Sequence, residues 1–265
     1  MKRNMDILKK KLKPGHFERL VSLKNEEILK FVSKYTELCN PASVFVRTDS
    51  EEDAEYIREK AVELGEEIKL RIEGHTVHFD GYYDQARDKK NTKFLVTPDM
   101  ALGPQLNSIE RDRGLEEIHL LLKDTMKGKE MFVLFMCLGP VDSEFSIYAV
   151  QLTDSAYVAH SEDILYRPAF RIFREKGANI EFFRYVHSAG ELDEVKTSKN
   201  IEKRRIYIDL LENAIYSVNT QYAGNTVGFK KLALRLAIRK AYEEKWLAEH
   251  MFIMRVNGPQ GRKSY

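Results

Sequence analysis

The sequence predicts an α+β fold built on a mixed β-sheet. Three observations predict it. Apolar runs of strand length outnumber segments with helical period. Strands and helices do not alternate as a regular βαβ series. One strand candidate, 131–138 (MFVLFMCL), is apolar throughout, as a strand buried on both faces must be.

The elements follow in order. Residues 25–38 (NEEILKFVSKYTEL) place Ile28, Leu29, Phe31, Val32, Tyr35 and Leu38 at helical spacing behind an Asn25 cap. Asn40-Pro41 stops that helix, and SVFVRT (43–48) reads as a strand. Asp49 or Ser50 then caps a helix through SEEDAEYIREKAVEL, ended by Gly65. IKLRI (68–72) and HTVHF (75–79) read as a short hairpin, and KFLV (93–96) as a strand. Residues 109–126 (IERDRGLEEIHLLLKDTM) are helical in spite of Gly114. Beyond 131–138, SIYAVQLT (146–153), YVAHS (157–161) and IEFFRYVHS (180–188) read as strands. RRIYIDL and AIYSVN pair as a hairpin around Leu211-Glu212-Asn213. Residues 219–229 (NTQYAGNTVGF) form a small-residue loop. From it Phe229 or Lys230 opens a helix to about Trp246, followed by an apolar strand, 251–256 (MFIMRV).

Composition narrows the class of protein. With 43% hydrophobic residues in 265, the chain buries a substantial core, so a disordered or fibrous chain is excluded. Charged residues at 32% resemble a thermophile's composition. Lys and Arg total 43 against 41 acidic residues, a net of +2, which neither points to nucleic acid nor forbids a locally basic surface for it. No apolar run approaches the roughly 20 residues that cross a bilayer. The opening MKRNMDILKKKLKPGHF is too charged for a signal peptide, and Cys39 and Cys137 make no disulfide framework. The reading is a soluble, cytoplasmic protein without membrane or nucleic-acid partners.

Taken singly, the motifs carry little. YAGNTVGFKK is a Gly-rich loop feeding a helix, which suits an anion or serves as an ordinary capped turn. GPQGRKS fails the phosphate-loop pattern, because Gly258 to Gly261 is too short and Arg262 precedes Lys263. His75 and His78, three apart in a strand, face opposite ways and make poor joint ligands. His250 is either a packed histidine or a ligand. The cluster Lys196, Lys199, Lys203, Arg204 and Arg205 reads as a solvated turn. Arg87, in DQARDKKNTKF, is an exposed loop arginine or a carboxylate clamp.

Together they form a pattern. YAGNTVGFKK, ALRLA, EEKWLAEHM and NGPQGRK, in that order, resemble the GTP-dependent phosphoenolpyruvate carboxykinases, which carry a YGGN-type loop, a double lysine, EEGWLAEHM and an NPEGKK turn. LGPVDSEFSIYAVQLTDSAYV (138–158) and VHSAG (186–190) resemble the family's GP…LTDSPYV and HSVG stretches. RTDSEEDAEYI (47–57) and DQARDKKNT (84–92) are looser matches. The resemblance spans most of residues 40–265, and the first forty residues match nothing in it.

The resemblance implies a mixed-sheet substrate-binding domain over 1–245. Residues 246–265 would then begin a P-loop-like nucleotide-binding domain. The chain's end falls at the threshold of the phosphate loop, so it is expected to be the N-terminal part of the enzyme and inactive alone. The implied gluconeogenic reaction converts oxaloacetate and GTP to phosphoenolpyruvate, GDP and carbon dioxide. Mn2+ is the implied metal, with a second divalent ion, Mg2+ or Mn2+, on GTP.

Residue roles follow the motifs. Arg87 is implied as the substrate clamp and Tyr222 as presenting its ring edge to the substrate. Gly224 lets a backbone N–H approach a carboxylate oxygen, and Asn225 completes the loop. Lys231 and His250 are implied as metal ligands, Lys231 requiring a neutral amine. Ala223 replaces the family loop's first glycine. The stretch after the lysines is one residue short, so alignment from the helix selects Lys230 instead of Lys231. Arg47 rivals Arg87 as the substrate-facing arginine. A stand-alone oxaloacetate- or phosphoenolpyruvate-binding module without catalysis is the alternative reading.

Overall fold

The computed structural model describes residues 2–84, 88–100, 102–104, 106–144, 146–231, 237–246, 256–261 and 263–264. Helices α1 (Lys2–Lys11), α2 (Pro14–Ser22) and α3 (Glu26–Cys39) lead into β1 (Ser43–Val46) and α4 (Glu51–Glu63). A small ladder, β2 (Ile68–Lys69) with β3 (Thr76–Val77), precedes β4 (Thr92–Val96) and β5 (Ser108–Glu110). Then come α5 (Arg111–Leu122), β6 (Glu130–Leu138), β7 (Ile147–Thr153), α6 (Ala156–Leu165), β8 (Arg167–Pro168), α7 (Phe170–Lys176) and β9 (Phe183–Ser188). The hairpin β10 (Arg205–Asp209) and β11 (Ala214–Val218) is followed by α8 (Ala223–Thr226), α9 (Gly228–Lys231) and α10 (Ala237–Glu243). A last ladder joins β12 (Val256–Asn257) to β13 (Lys263–Ser264).

Among the described residues one nine-stranded mixed sheet organises the molecule. Its order is β1-β6-β7-β9-β11-β10-β4-β5, with β8 also paired to β6. Strands β7, β9 and β11 run parallel to one another, so their carboxyl ends share one edge. The antiparallel partners β6 and β10, and β4 beside β10, bring their amino ends to that same edge.

Strand β6 is buried from Met131 to Cys137, as its apolar run requires. One face of the sheet packs Val133, Phe135 and Cys137 with α1, α2, α3, α5 and α7. The other packs Phe132, Leu134 and Met136 with α4 and α6.

Most predicted elements stand where the sequence puts them. Asn25 caps α3 by accepting from Ile28 N at 3.0 Å, and Asn40 ends it in a left-handed conformation. Ser50, not Asp49, caps α4; the Asp49 carboxylate instead accepts from the amides of Phe170 and Arg171 at the start of α7. The 68–79 hairpin shrinks to two paired residues per strand.

Two readings change. Residues 157–161 belong to helix α6, not to a strand. Ser155 accepts from Val158 N at 3.2 Å, and this cap outweighs the strand preference of Tyr157 and Val158. The 109–126 helix is confined to α5, because 108–110 pairs with β4 and Glu110 becomes the cap. The N-terminal residues form α1 and α2; Leu8 and Leu20 within them, and Leu12 and Leu23 just after them, join the core. The Phe229-to-Trp246 helix is seen as α9 and α10; 232–236 and most of the 251–256 strand lie outside the described residues.

Gly114 has a packing reason. A Cβ there would stand 2.4 Å from Leu95 Cδ2 and 3.0 Å from Ile109 Cγ2. Replacing a mid-helix glycine by alanine ordinarily gains about 0.5–1 kcal/mol. Here overpacking, which costs about 1–3 kcal/mol, reverses the sign. Gly114→Ala is expected to lower stability in a denaturant titration.

Candidate functional site

The site edge is built from two interlocked motifs. Thr153, Asp154 and Ser155 end β7, while His187 to Gly190 end β9. Asp154, 4% exposed, accepts from Ala189 N, Ser188 Oγ and Lys129 Nζ at 2.7–2.8 Å. His187 lies between Thr153 Oγ1 at 2.7 Å and Thr220 O at 2.8 Å. A carbonyl only accepts, so Nε2 carries the proton and Nδ1 accepts from the threonine hydroxyl. Burial holds the imidazole below its ordinary pKa, against Asp154 and the Thr220 carbonyl. Gly190 has φ +70°, and a Cβ there would meet Asn219 Oδ1 at 2.1 Å.

Thr220 is also the root of the Tyr222 loop, and a second anchor holds it. The Asp84 carboxylate accepts from Thr220 Oγ1 at 2.8 Å and Gln221 N at 2.7 Å. It is paired with the Arg204 guanidinium, whose Nε reaches Asp88 Oδ2 at 2.9 Å. Burial raises the Asp88 pKa, but the Asn91 side chain and amide, with Arg204, outweigh it and hold the group low. Asp84 and Asp88 flank residues 85–87. One arginine therefore fixes both ends of the segment containing Arg87 and, through Asp84, ties it to the Tyr222 loop.

The loop itself is two turns. Tyr222 precedes α8 and is partly exposed, while Gly224 and Asn225 are buried in it. A Cβ on Gly224 would stand 2.4 Å from the Tyr222 ring, so only glycine allows this ring to lie against the turn. Lys230 and Lys231 end α9. The Gly228 amide donates to Glu162 Oε1 at 3.1 Å and Gln151 Oε1 at 3.3 Å. Burial pushes the Glu162 carboxyl up to about 8; Asp163 adds to this, while the Gly228 amide and Gln151 oppose it.

Of the predicted site residues, Tyr222, Gly224, Asn225 and Lys231 are brought together on this loop. Arg87 and His250 lie outside the described residues. Arg47 is no rival clamp: it is 5% exposed and paired with Asp163 at 2.9 Å. The basic 196–205 stretch is not simply a solvated turn. Arg204 is buried against Asp84 and Asp88, Arg205 pairs with Glu117, and Lys199 with Glu191. His78 stacks on Tyr157 at 3.6 Å and His75 is exposed, so they share no ligand.

Asp84, Gln151 and Glu162 are the positioning groups that sequence reading missed. Only Asp84 had a signal, as the first residue of the D-x-A-R match. A separate cavity of about 520 Å³ opens beside Asp154 at the same edge, lined by Tyr56, Lys60, Glu66 and Lys129; it does not include Tyr222, Gly224 or Asn225.

Removing the Asp84 carboxylate leaves Arg204 buried with only Asp88 as counter-charge. Breaking such a pair costs about 3–5 kcal/mol, so Asp84→Ala should show that loss in urea denaturation. Glu162 titrates with the opposite sign to an ordinary surface carboxylate. Its folded pKa, about 8, lies above the ordinary 4.5. The stabilising protonated form is fully present below pH 4.5 and its contribution is lost as pH rises towards 8. Glu162→Gln does not titrate. Its stability relative to the wild type should therefore increase across that window and level off above it, in denaturation curves at several pH values.

The phosphoenolpyruvate carboxykinase N-terminal domain family matches residues 30–242. The chain is 59% identical over 260 residues to the phosphoenolpyruvate carboxykinase (GTP) of Thermococcus sibiricus, covering 98% of this chain and 42% of that protein. It is 49% identical over 261 residues to the corresponding Saccharolobus solfataricus protein, covering 98% of this chain and 41% of the other. With that of Chlamydia pneumoniae the identity is 30% over 254 residues, 92% of this chain and 42% of the relative. The chain thus spans about 42% of the length of its Thermococcus relative. The chain belongs to the phosphoenolpyruvate carboxykinase N-terminal domain family.

Proposed function

We propose that this chain is the substrate-side part of a GTP-dependent phosphoenolpyruvate carboxykinase, a gluconeogenic carboxy-lyase of the cytoplasm. The reaction is the reversible conversion of oxaloacetate and GTP to phosphoenolpyruvate, GDP and carbon dioxide. The observation that carries the reading is the Asp84–Arg204–Asp88 cluster. It ties the segment around Arg87 to the loop of Tyr222, Gly224 and Asn225, the two stretches that the family resemblance assigns to one dicarboxylate. Residues 246–265 we read as the opening of the nucleotide-binding domain, with the GTP site in the remainder of the enzyme.

The chain's residues would act by binding and orientation. Arg87 would grip a carboxylate with its planar fork. Tyr222 and a Gly224 backbone N–H would fix the other end, aligning the breaking C–C bond with the developing enolate. Decarboxylation leaves an electron pair on the former oxaloacetate. The enolate oxygen then attacks the γ-phosphorus of GTP, releasing GDP.

For the metal we propose Mn2+ held by Lys231 and His250. Among the described residues no group of three or more His, Cys, Asp or Glu is placed to hold a metal. Two nitrogen donors then leave the coordination to be completed by other residues. Lys231 would bind only as the neutral amine. When bound, the ion supplies positive charge that lowers the cost of enolate formation. A second divalent ion, Mg2+ or Mn2+, would accompany GTP. Among the described residues no helix is long and apolar enough to cross a membrane.

The test is made in the full-length enzyme. Arg87→Ala should lower kcat/KM for oxaloacetate by about 10- to 100-fold with the KM for GTP unchanged. His250→Ala should raise the Mn2+ concentration for half-activation by about 10-fold or more. The isolated 265-residue chain should show no GTP-dependent turnover. Unchanged oxaloacetate kinetics in Arg87→Ala would remove the clamp.

A further inference from the structure

The turns after Tyr222 close largely on themselves. Asn225 N and Thr226 N donate to Tyr222 O at 2.8 and 3.1 Å, and Val227 N donates to Ala223 O at 3.1 Å. The Gly228 amide points out of the loop instead, to Glu162 on α6 and Gln151 on β7. There is no slack at this contact. A Cβ on Gly228 would stand 2.5 Å from the Tyr185 ring and 2.8 Å from Gln151 Oε1.

A carboxyl group at the Glu162 position is costly. The residue is 1% exposed, and Oε2 takes no hydrogen bond among the described residues. An apolar side chain would satisfy the same core without that penalty. A local rule broken at such cost marks a site where function has been placed above stability.

We propose that Glu162 is a positioning residue of the carboxykinase site. It fixes the Gly228 amide and, one turn later, the backbone that carries Lys230 and Lys231. The inference rests on the reading of this loop as the substrate and metal side of the site. Three residues along a helical turn advance the chain by only about 4.5 Å, so a displacement at Gly228 passes directly to Lys231. Misplacement of a reacting geometry by about 1 Å costs on the order of 100-fold in rate.

The experiment uses the full-length enzyme with Glu162→Leu, which removes the shorter of the two acceptors of the Gly228 amide at similar volume and leaves Gln151 Oε1, and Glu162→Gln, which keeps a carbonyl oxygen for Gly228. Hydrogen–deuterium exchange over 226–231 is read beside the kinetics of oxaloacetate and GTP. Glu162→Leu should exchange faster there and lose about 10- to 100-fold in kcat/KM for oxaloacetate, with the KM for GTP unchanged. Glu162→Gln should stay within about threefold of the wild type on both readings. If Glu162→Leu does not fold, Glu162→Asp draws the acceptor back by one methylene and is read the same way. Wild-type exchange and kinetics in the Leu or Asp variant overturn the proposal, as does a Gln variant that falls as far as Leu. A wild type inactive with oxaloacetate and GTP overturns the carboxykinase reading and the positioning role with it. An active wild type left unmoved by Glu162→Leu overturns the positioning role alone.

Discussion

The buried Asp84 carboxylate is the constraint on which the site depends. It is 2% exposed and serves three partners: the Arg204 guanidinium, the Thr220 hydroxyl and the Gln221 amide. A desolvated carboxylate is tolerable only when its oxygens are filled, so each partner is obligatory to the others. Asp84 lies at the end of one stretch and Thr220 at the start of another, more than a hundred residues apart in sequence. Their common carboxylate makes them one object.

The second organising principle is the shared direction of β7, β9 and β11. Parallel strands deliver their carboxyl ends together, and here those ends bear Thr153-Asp154, His187-Ser188 and Asn219-Thr220. Hydrogen bonds run laterally between them: Asp154 accepts from Ser188 Oγ and Ala189 N, and His187 accepts from Thr153 Oγ1 and donates to Thr220 O. The loops after these strands are thereby fixed relative to one another before any ligand arrives. That is the preorganisation a small-ligand site needs.

The sequence made the sheet readable because its strands are continuous apolar runs and its caps are short polar residues of the right type. Asn25 and Asn40 act as read, and of the two caps offered for α4 it is Ser50 that serves. The misreading of 157–161 has a clear cause: Tyr157 and Val158 prefer strands, and the Ser155 cap together with the burial of Ala156, Val158, Ala159 and Glu162 on one helical face reverses that. The Tyr222 loop was legible as a motif. Its anchors were not, because Gln151 sits inside an apolar strand and Glu162 directly follows a segment read as strand. Arg204 was read with the basic cluster, since nothing local in the sequence tells a buried arginine from a solvated one. Burial and pairing are set by residues more than a hundred positions away, Asp84 and Asp88 among them.

The β10–β11 hairpin has a consequence of its own. Its ladder pairs Arg205 with Val218 at the site edge and Asp209 with Ala214 at the turn. Arg204 and Asn219 therefore leave the same rung, and the anchor of one segment and the root of the other move as a single unit. The ladder behaves as a ruler whose zero lies at the site and whose free end is the turn, where Leu211 is 55% exposed. A label on the exposed Leu211 side chain would therefore sit at the far end of the ladder from the rung that sets the distance between anchor and loop.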